Sequence, residues 1–309
     1  MDKVWESNRA RRLCALKQAA LVLPGELAQG VFRLGEDRLS DAEELRLRLG
    51  YPITVNVEGR EVETDGPAVS RDDLRQVLEA ASQASAHTVL GQVRNGYVTL
   101  RGGHRLGLCG TAAWDGAQMM TLRYLTSLAL RIACPAEGQA GEVLEALRTQ
   151  EGVRSALILA PPGAGKTTLL RELIRCLSDG VDGPPLRVGL ADERGEVAAL
   201  YQGVPQFDVG RHTDVLDGCR KAQGLEILLR GMNPQVLAAD EITCPADVSA
   251  VEEAAGCGVA LLATAHAGDV GDLRRRPVYR SLLELGVFRR AVVLERRAGK
   301  RSARIEVLT

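Results

Sequence analysis

Lys166, Thr167 and Thr168 close the loop inside "LILAPPGAGKTTLLREL", residues 157–173. Ahead of them, Ala160, Pro161, Pro162, Gly163, Ala164 and Gly165 carry no functional group of their own. Whatever they hold must therefore be gripped by backbone N–H groups. An anion suits that grip, above all where a loop runs straight into a helix whose first amides are free and whose dipole favours negative charge. The spacing fits the phosphate-cradling pattern Gly-x-x-x-x-Gly-Lys-Ser/Thr, with Ala160 standing in the first glycine position. Residues 160–168 are thus the candidate nucleotide-binding segment, with Lys166 reaching the β- and γ-phosphates and Thr167 ligating magnesium. ATP and Mg²⁺ are the expected cofactors.

Hydrolysis also needs a base. "QVLAADE" is an apolar run ending in two acids, about seventy residues after the loop. Asp240 would hold Mg²⁺ through water, and Glu241 would orient and deprotonate the attacking water. "GLADERGE" contributes Asp192, Glu193 and Glu196, and "LLATAHAGD" contributes Thr264 and His266. On spacing alone Asp192 and Glu193 could equally be helix caps, and a lone histidine such as His266 is more often structural. Taken together, four polar strand tips describe one crevice able to sense a γ-phosphate, with the loop and the Asp240–Glu241 pair expected on adjacent strand ends.

These groups need strands that end together. "SALILA", "RVGLAD", "QVLAAD" and "VALLAT" are short, continuous and apolar, as suits a parallel sheet covered on both faces. Between them lie helices with stripes at Leu169, Leu170, Leu173 and Ile174, and at Leu225, Leu228, Leu229 and Met232, the second stopping at Asn233-Pro234. "AVVLERR" and "ARIEVL" make a terminal hairpin around Ala298-Gly299-Lys300. This second domain, an α/β nucleotide-binding domain with a parallel sheet, spans 149–309. Residues 1–148 read as a smaller α+β domain. Its signals are an amphipathic helix with Leu13, Leu16, Ala20 and Leu23 on one side, a hairpin turning at Glu58-Gly59, a capping box opening at Ser70, a turn at Asn95-Gly96 and a Gly-Gly bend before "HRLGLCG".

Composition weighs against several classes. The net charge of −1 and 3% aromatic content give neither the basic track nor the stacking rings of a nucleic-acid groove. Seven scattered cysteines without Cys-x-x-Cys argue against a disulfide framework or a zinc site, and fit a reducing compartment. No stretch approaches the roughly 20 apolar residues that cross a bilayer. A cytoplasmic protein without a transmembrane segment is expected.

The order of phosphate loop, "DERGE", "LLRGMNPQVLAADEIT" and "LLATAHAGD" resembles the RecA-like ATPases of type II and type IV secretion and pilus machines. On that resemblance Asp192, Glu193 and Glu196 fall on the aspartate box, Asp240 and Glu241 on Walker B, and His266 on the histidine box. More narrowly, "GYVTLRGGHRLGLCG", "DERGEVAALYQGVPQFDVGRHTDVLDGCRKAQG" and "ADEITCPADVSAVEEAAGCGVALLATAHAGD" resemble the stage III sporulation protein AA family, from about residue 85 to the C-terminus. The resemblance implies a P-loop ATPase, peripheral to a membrane channel complex that joins mother cell and forespore. It also implies a homo-oligomer, most often a hexamer, with an arginine acting in trans. Arg105, Arg123 and Arg131 are the candidates in the N-terminal domain, and Arg211 and Arg230 are alternatives in the second. Two other readings stay open: a RecA-like nucleic-acid translocase, and an ATP-binding switch without sustained turnover.

Overall fold

The computed structural model describes residues 2–82, 96–116, 118–134, 140–150, 152–297 and 300–308. The turn residue Asn95 and the Ala298-Gly299 tip lie outside the described residues. The chain forms two units, one of Met1–Pro135 with Leu200–Gln206, the other of Ala136–Ala199 with Phe207–Thr309.

In the first unit β1 (Ala42–Arg48), β2 (Thr54–Val57), β3 (Arg60–Glu63), β4 (Tyr97–Thr99), β5 (Arg105–Asp115) and β6 (Gln118–Arg131) form an antiparallel sheet ordered β3-β2-β1-β6-β5-β4. Alternation sets its faces. Leu45, Leu47, Val55, Val98, Leu106, Leu128 and Leu130 point to one side and share a core with Leu16, Leu27, Leu74 and Val77 from the helices. The β2–β3 turn takes Glu58 and Gly59 at positive φ, as a two-residue hairpin with matching twist requires. Ser70 caps helix Arg71–Ala81 reciprocally: its hydroxyl accepts from Asp73 N–H at 3.1 Å, and its own N–H donates to the Asp73 carboxylate at 2.8 Å. The first helix, Asp2–Ala19, is shorter than the apolar stripe suggested; a 3₁₀ turn, Ala20–Val22, carries Ala20, and Leu23 is already extended.

The chain then enters β7 (Ala156–Leu159) and β8 (Val188–Asp192), makes the hairpin β9 (Leu200–Tyr201) and β10 (Val204–Pro205), and continues through β11 (Thr213–Asp217), β12 (Val236–Ala239), β13 (Ala260–Ala265), β14 (Arg290–Arg297) and β15 (Lys300–Val307). The second unit is built on a sheet ordered β11-β8-β12-β13-β7-β14-β15, parallel throughout except for the returning β15. Both faces are covered. Leu157, Leu159, Leu237, Ala239, Leu261 and Ala263 face a core shared with Leu225, Leu228 and Val251, whereas Ile158, Val236, Ala238 and Leu262 are as deeply buried with the opposite parity.

Four findings correct the sequence reading. The strand bearing the phosphate loop and the strand ending in Asp240 are not neighbours, because β13 lies hydrogen-bonded between β7 and β12. The division between units falls after Pro135, earlier than residue 148, because helix Gly141–Leu147 packs on β15 of the second unit. The edge strand β11 went unrecognised. Met232, assigned to a buried stripe, is 43% exposed in the last helical turn before the left-handed cap Asn233.

The hairpin β9–β10 belongs to the first unit although its sequence interrupts the second. Gln202 and Gly203 at its tip both take positive φ. At its end, Gln206 Oε1 accepts the Gly102 N–H at 2.7 Å.

Candidate active site

Strand β7 ends at Leu159, and helix Lys166–Asp179 starts six residues after Ala160, with Gly163 and Gly165 at φ 73° and 100° in between. A side chain at either position would meet the left-handed penalty. Ala160, by contrast, is fully buried and not in the left-handed region, so the missing first glycine is tolerated.

Lys166 folds back over this loop. Its ammonium donates to Ala160 O at 2.9 Å, to Pro161 O at 3.1 Å and to His266 Nδ1 at 3.0 Å, using all three hydrogens. Since an ammonium only donates, Nδ1 accepts, and Nε2 carries the ring hydrogen toward Glu241 Oε1 at 2.6 Å. Burial pushes the Lys166 amine below its ordinary range, opposed by the charges of Asp240 and Glu241. One hydrogen-bonded chain thus links the loop after β7 to the tips of β13 and β12.

A second chain fixes the acids. Thr167 donates to Asp240 Oδ2 at 2.7 Å, Thr264 donates to Asp240 Oδ1 at 2.6 Å, and Thr264 Oγ1 accepts the Glu241 N–H at 2.8 Å. Glu241 sits at φ 57°, a conformation costly for a residue with a side chain and held here by these contacts. A hydroxyl and a carboxylate in contact beside a phosphate loop form an oxygen donor pair of the kind that holds Mg²⁺ together with substrate phosphates and waters. Among the described residues no cluster of three or more His, Cys, Asp or Glu suits a metal held by protein alone.

The "DERGE" loop divides its labour. Asp192 is buried and turned inward, accepting N–H bonds from Glu196, Val197 and Ala198 at 2.8–3.2 Å, so it shapes the loop rather than facing the crevice. Arg171, one turn into the loop's helix, donates to the carbonyls of Val197 and Glu196 and lies over the Phe207 ring. Glu193 meets the buried Lys221 at 2.6 Å. Glu196 is half-buried. It is Arg194, which sequence reasoning passed over, that reaches the acids, donating to Glu241 Oε2 at 2.9 Å. A lone arginine amid acids reads as a solvated charge, and no sequence signal marked it.

The candidate trans arginines are divided between the two units. In the first unit Arg105 stacks on Tyr97, Arg131 pairs with Glu44 at 3.3 Å, and Arg123 is exposed on β6. Arg211 precedes β11 and Arg230 precedes β12, both toward the amino ends of the strands and away from Lys166.

Residues 22–306 match the sequence family described as Sporulation stage III, protein AA. The chain is 36% identical over 285 residues to the stage III sporulation protein AA of Bacillus subtilis (strain 168), covering 92% of each. It is 31% identical over 131 residues to the uncharacterized protein ycf45 of Porphyra purpurea, 42% of this chain and 22% of that protein. Among solved structures it is similar to the Legionella pneumophila ATPase DotB, with TM-score 0.58 and 20% identity over 91% of this chain and 81% of that one. It is also similar to the pilus retraction motor PilT bound to ADP, with TM-score 0.59 and 16% identity over 90% of this chain and 83% of that one. The fold is the RecA-like fold of secretion ATPases, an α/β domain preceded by a smaller α+β domain. No helix among the described residues is long and apolar enough to cross a membrane.

Proposed function

The chain belongs to the stage III sporulation protein AA family, and on that premise we propose that it is a Mg²⁺-dependent ATP hydrolase serving a membrane channel complex between mother cell and forespore. The observation that carries the reading is the pair of hydrogen-bonded chains, Lys166–His266–Glu241 and Thr167–Asp240–Thr264, at the carboxyl ends of β7, β12 and β13. In an open parallel sheet that end is where ligands bind.

The backbone N–H groups of the loop from Gly163 onward wrap the β-phosphate, and Lys166 exchanges its loop carbonyls for phosphate oxygens. Thr167 would ligate Mg²⁺ and Asp240 would hold it through water, and the ion when bound neutralises phosphate charge. Glu241 takes the proton of the attacking water, steadied by His266. Cytoplasmic placement and a nucleotide-assembled homohexamer complete the proposal.

The test separates binding from chemistry. Lys166→Ala should abolish Mg-ATP binding, because no other amine can replace its charge. Glu241→Gln should keep binding and lose turnover by roughly 10²–10⁴-fold. Undiminished hydrolysis by both variants would overturn the proposal. Stimulation by single-stranded DNA rather than by membrane-complex partners would favour the translocase reading.

A further inference from the structure

Arg194 is the one member of the "DERGE" loop whose side chain contacts Glu241 among the hydrogen bonds described above, and we infer that it is the residue by which the site tells a nucleoside triphosphate from a diphosphate. In this inference, which rests on the ATP-hydrolase reading, Arg194 releases Glu241 and takes the γ-phosphate when a triphosphate enters.

The two partners of the ion pair differ in exposure. Glu241 is 20% exposed, tied by its N–H to Thr264 and by Oε1 to His266. Arg194 is 60% exposed and reaches in from the loop after β8. An ion pair this open contributes little to stability.

Distance then selects its new partner. A base that activates water lies within about 3 Å of it, and the attacking water lies about 3–3.5 Å from the phosphorus. Any group touching the Glu241 carboxylate is therefore within two short steps of the γ-phosphate, and one phosphate farther from the β-phosphate. A planar guanidinium bonds phosphate oxygens two at a time, and the γ-phosphate offers more negative charge than one carboxylate.

Three other cations near the loop hold partners of their own away from the Glu241 carboxylate. Arg171 is buried on the carbonyls of Glu196 and Val197 and on Phe207, Lys221 is buried on Glu193, and Lys166 belongs to the phosphate loop.

Binding to the full chain, measured by calorimetry with a non-hydrolysable Mg-ATP analogue and with Mg-ADP, tests this. Arg194→Met should weaken the analogue by roughly tenfold or more, the loss of one charge-assisted bond, and leave ADP within about twofold, the scatter of a lost surface charge. Arg194→Lys should recover part of the loss. Glu241→Gln, which removes the competing carboxylate, should tighten the analogue relative to ADP, and that gain should vanish in the double variant with Arg194→Met. Equal effects on both nucleotides, or an unchanged ratio in Arg194→Met, overturns the role of Arg194 while leaving the hydrolase reading intact. Wild-type protein that binds neither nucleotide overturns the hydrolase reading itself. If methionine disturbs the loop, Arg194→Gln carries the same expectation.

Discussion

Three acceptors occupy the Lys166 ammonium, and one of them, His266, also holds Glu241. This placement makes His266 the side chain through which the phosphate-binding amine and the proposed base feel each other. Its removal leaves Lys166 two carbonyls and leaves Glu241 its Arg194, so the fold loses little. His266→Ala should therefore keep the melting temperature within a few degrees while cutting ATP turnover, and Glu196→Ala should behave alike. Thermal melts beside steady-state hydrolysis decide it. A collapsed melting temperature with full specific activity in the folded fraction would assign both residues to structure. Lys166, Thr167, Asp240, Glu241 and His266 were all legible from spacing, since each closes an apolar strand or opens a helix. Arg194 and Lys221 were not, because nothing in a linear pattern tells a surface charge from one that folds back onto an acid.

At the scale of elements, continuous apolar runs announced β7, β8, β12 and β13, and their almost unbroken burial along each strand is what covering on both faces requires. The edge strand β11, "TDVLD", is half-buried along its whole length and mixes acids with aliphatics, so its signal was faint. The insertion of β13 between β7 and β12 is a tertiary choice of neighbours and leaves no local trace. The turn joining β4 to β5 carries a testable device. Ala133 N–H donates to His104 Nδ1 at 3.1 Å, Nε2 has no hydrogen-bond partner among the described residues, and burial lowers the ring from 6.5 to about 4. The unfolded chain therefore takes up a proton as pH falls below 6.5, and the folded chain does so only near 4. Stability contributed by the neutral ring is fully present above that window and declines by about 3 kcal/mol across it. Urea unfolding at a series of pH values should show the decline, and His104→Gln should flatten it. An unchanged slope in that variant would assign the acid sensitivity to other groups.

For the whole molecule, a site supplied with Lys166 and Mg²⁺ still gains from an arginine that offsets transition-state charge, and such an arginine is often supplied by a neighbour. We expect a ring, a hexamer, that forms with nucleotide. Light scattering at saturating Mg-ATP reads its mass. Subunits carrying Arg105→Ala, Arg123→Ala or Arg131→Ala, mixed one variant at a time with Lys166→Ala subunits, should regain part of the hydrolysis if that arginine works across an interface. No recovery from any mixture, together with a monomer in solution, would remove support for the ring.

The hairpin Leu200–Gln206 carries one more consequence, for anyone who would cut this protein in two. The polypeptide passes from one unit to the other at Pro135, at Ala199 and at Gln206, so neither unit is a single stretch of sequence. A fragment ending at Pro135 would lack the partner of the Gly102 amide, and a fragment starting at Ala136 would carry an orphan hairpin with Val204 exposed on its second strand. Dissection into halves that behave as they do in the intact chain calls for a short linker from Ala199 to Phe207 in one piece, and for the excised hairpin to be supplied to the other.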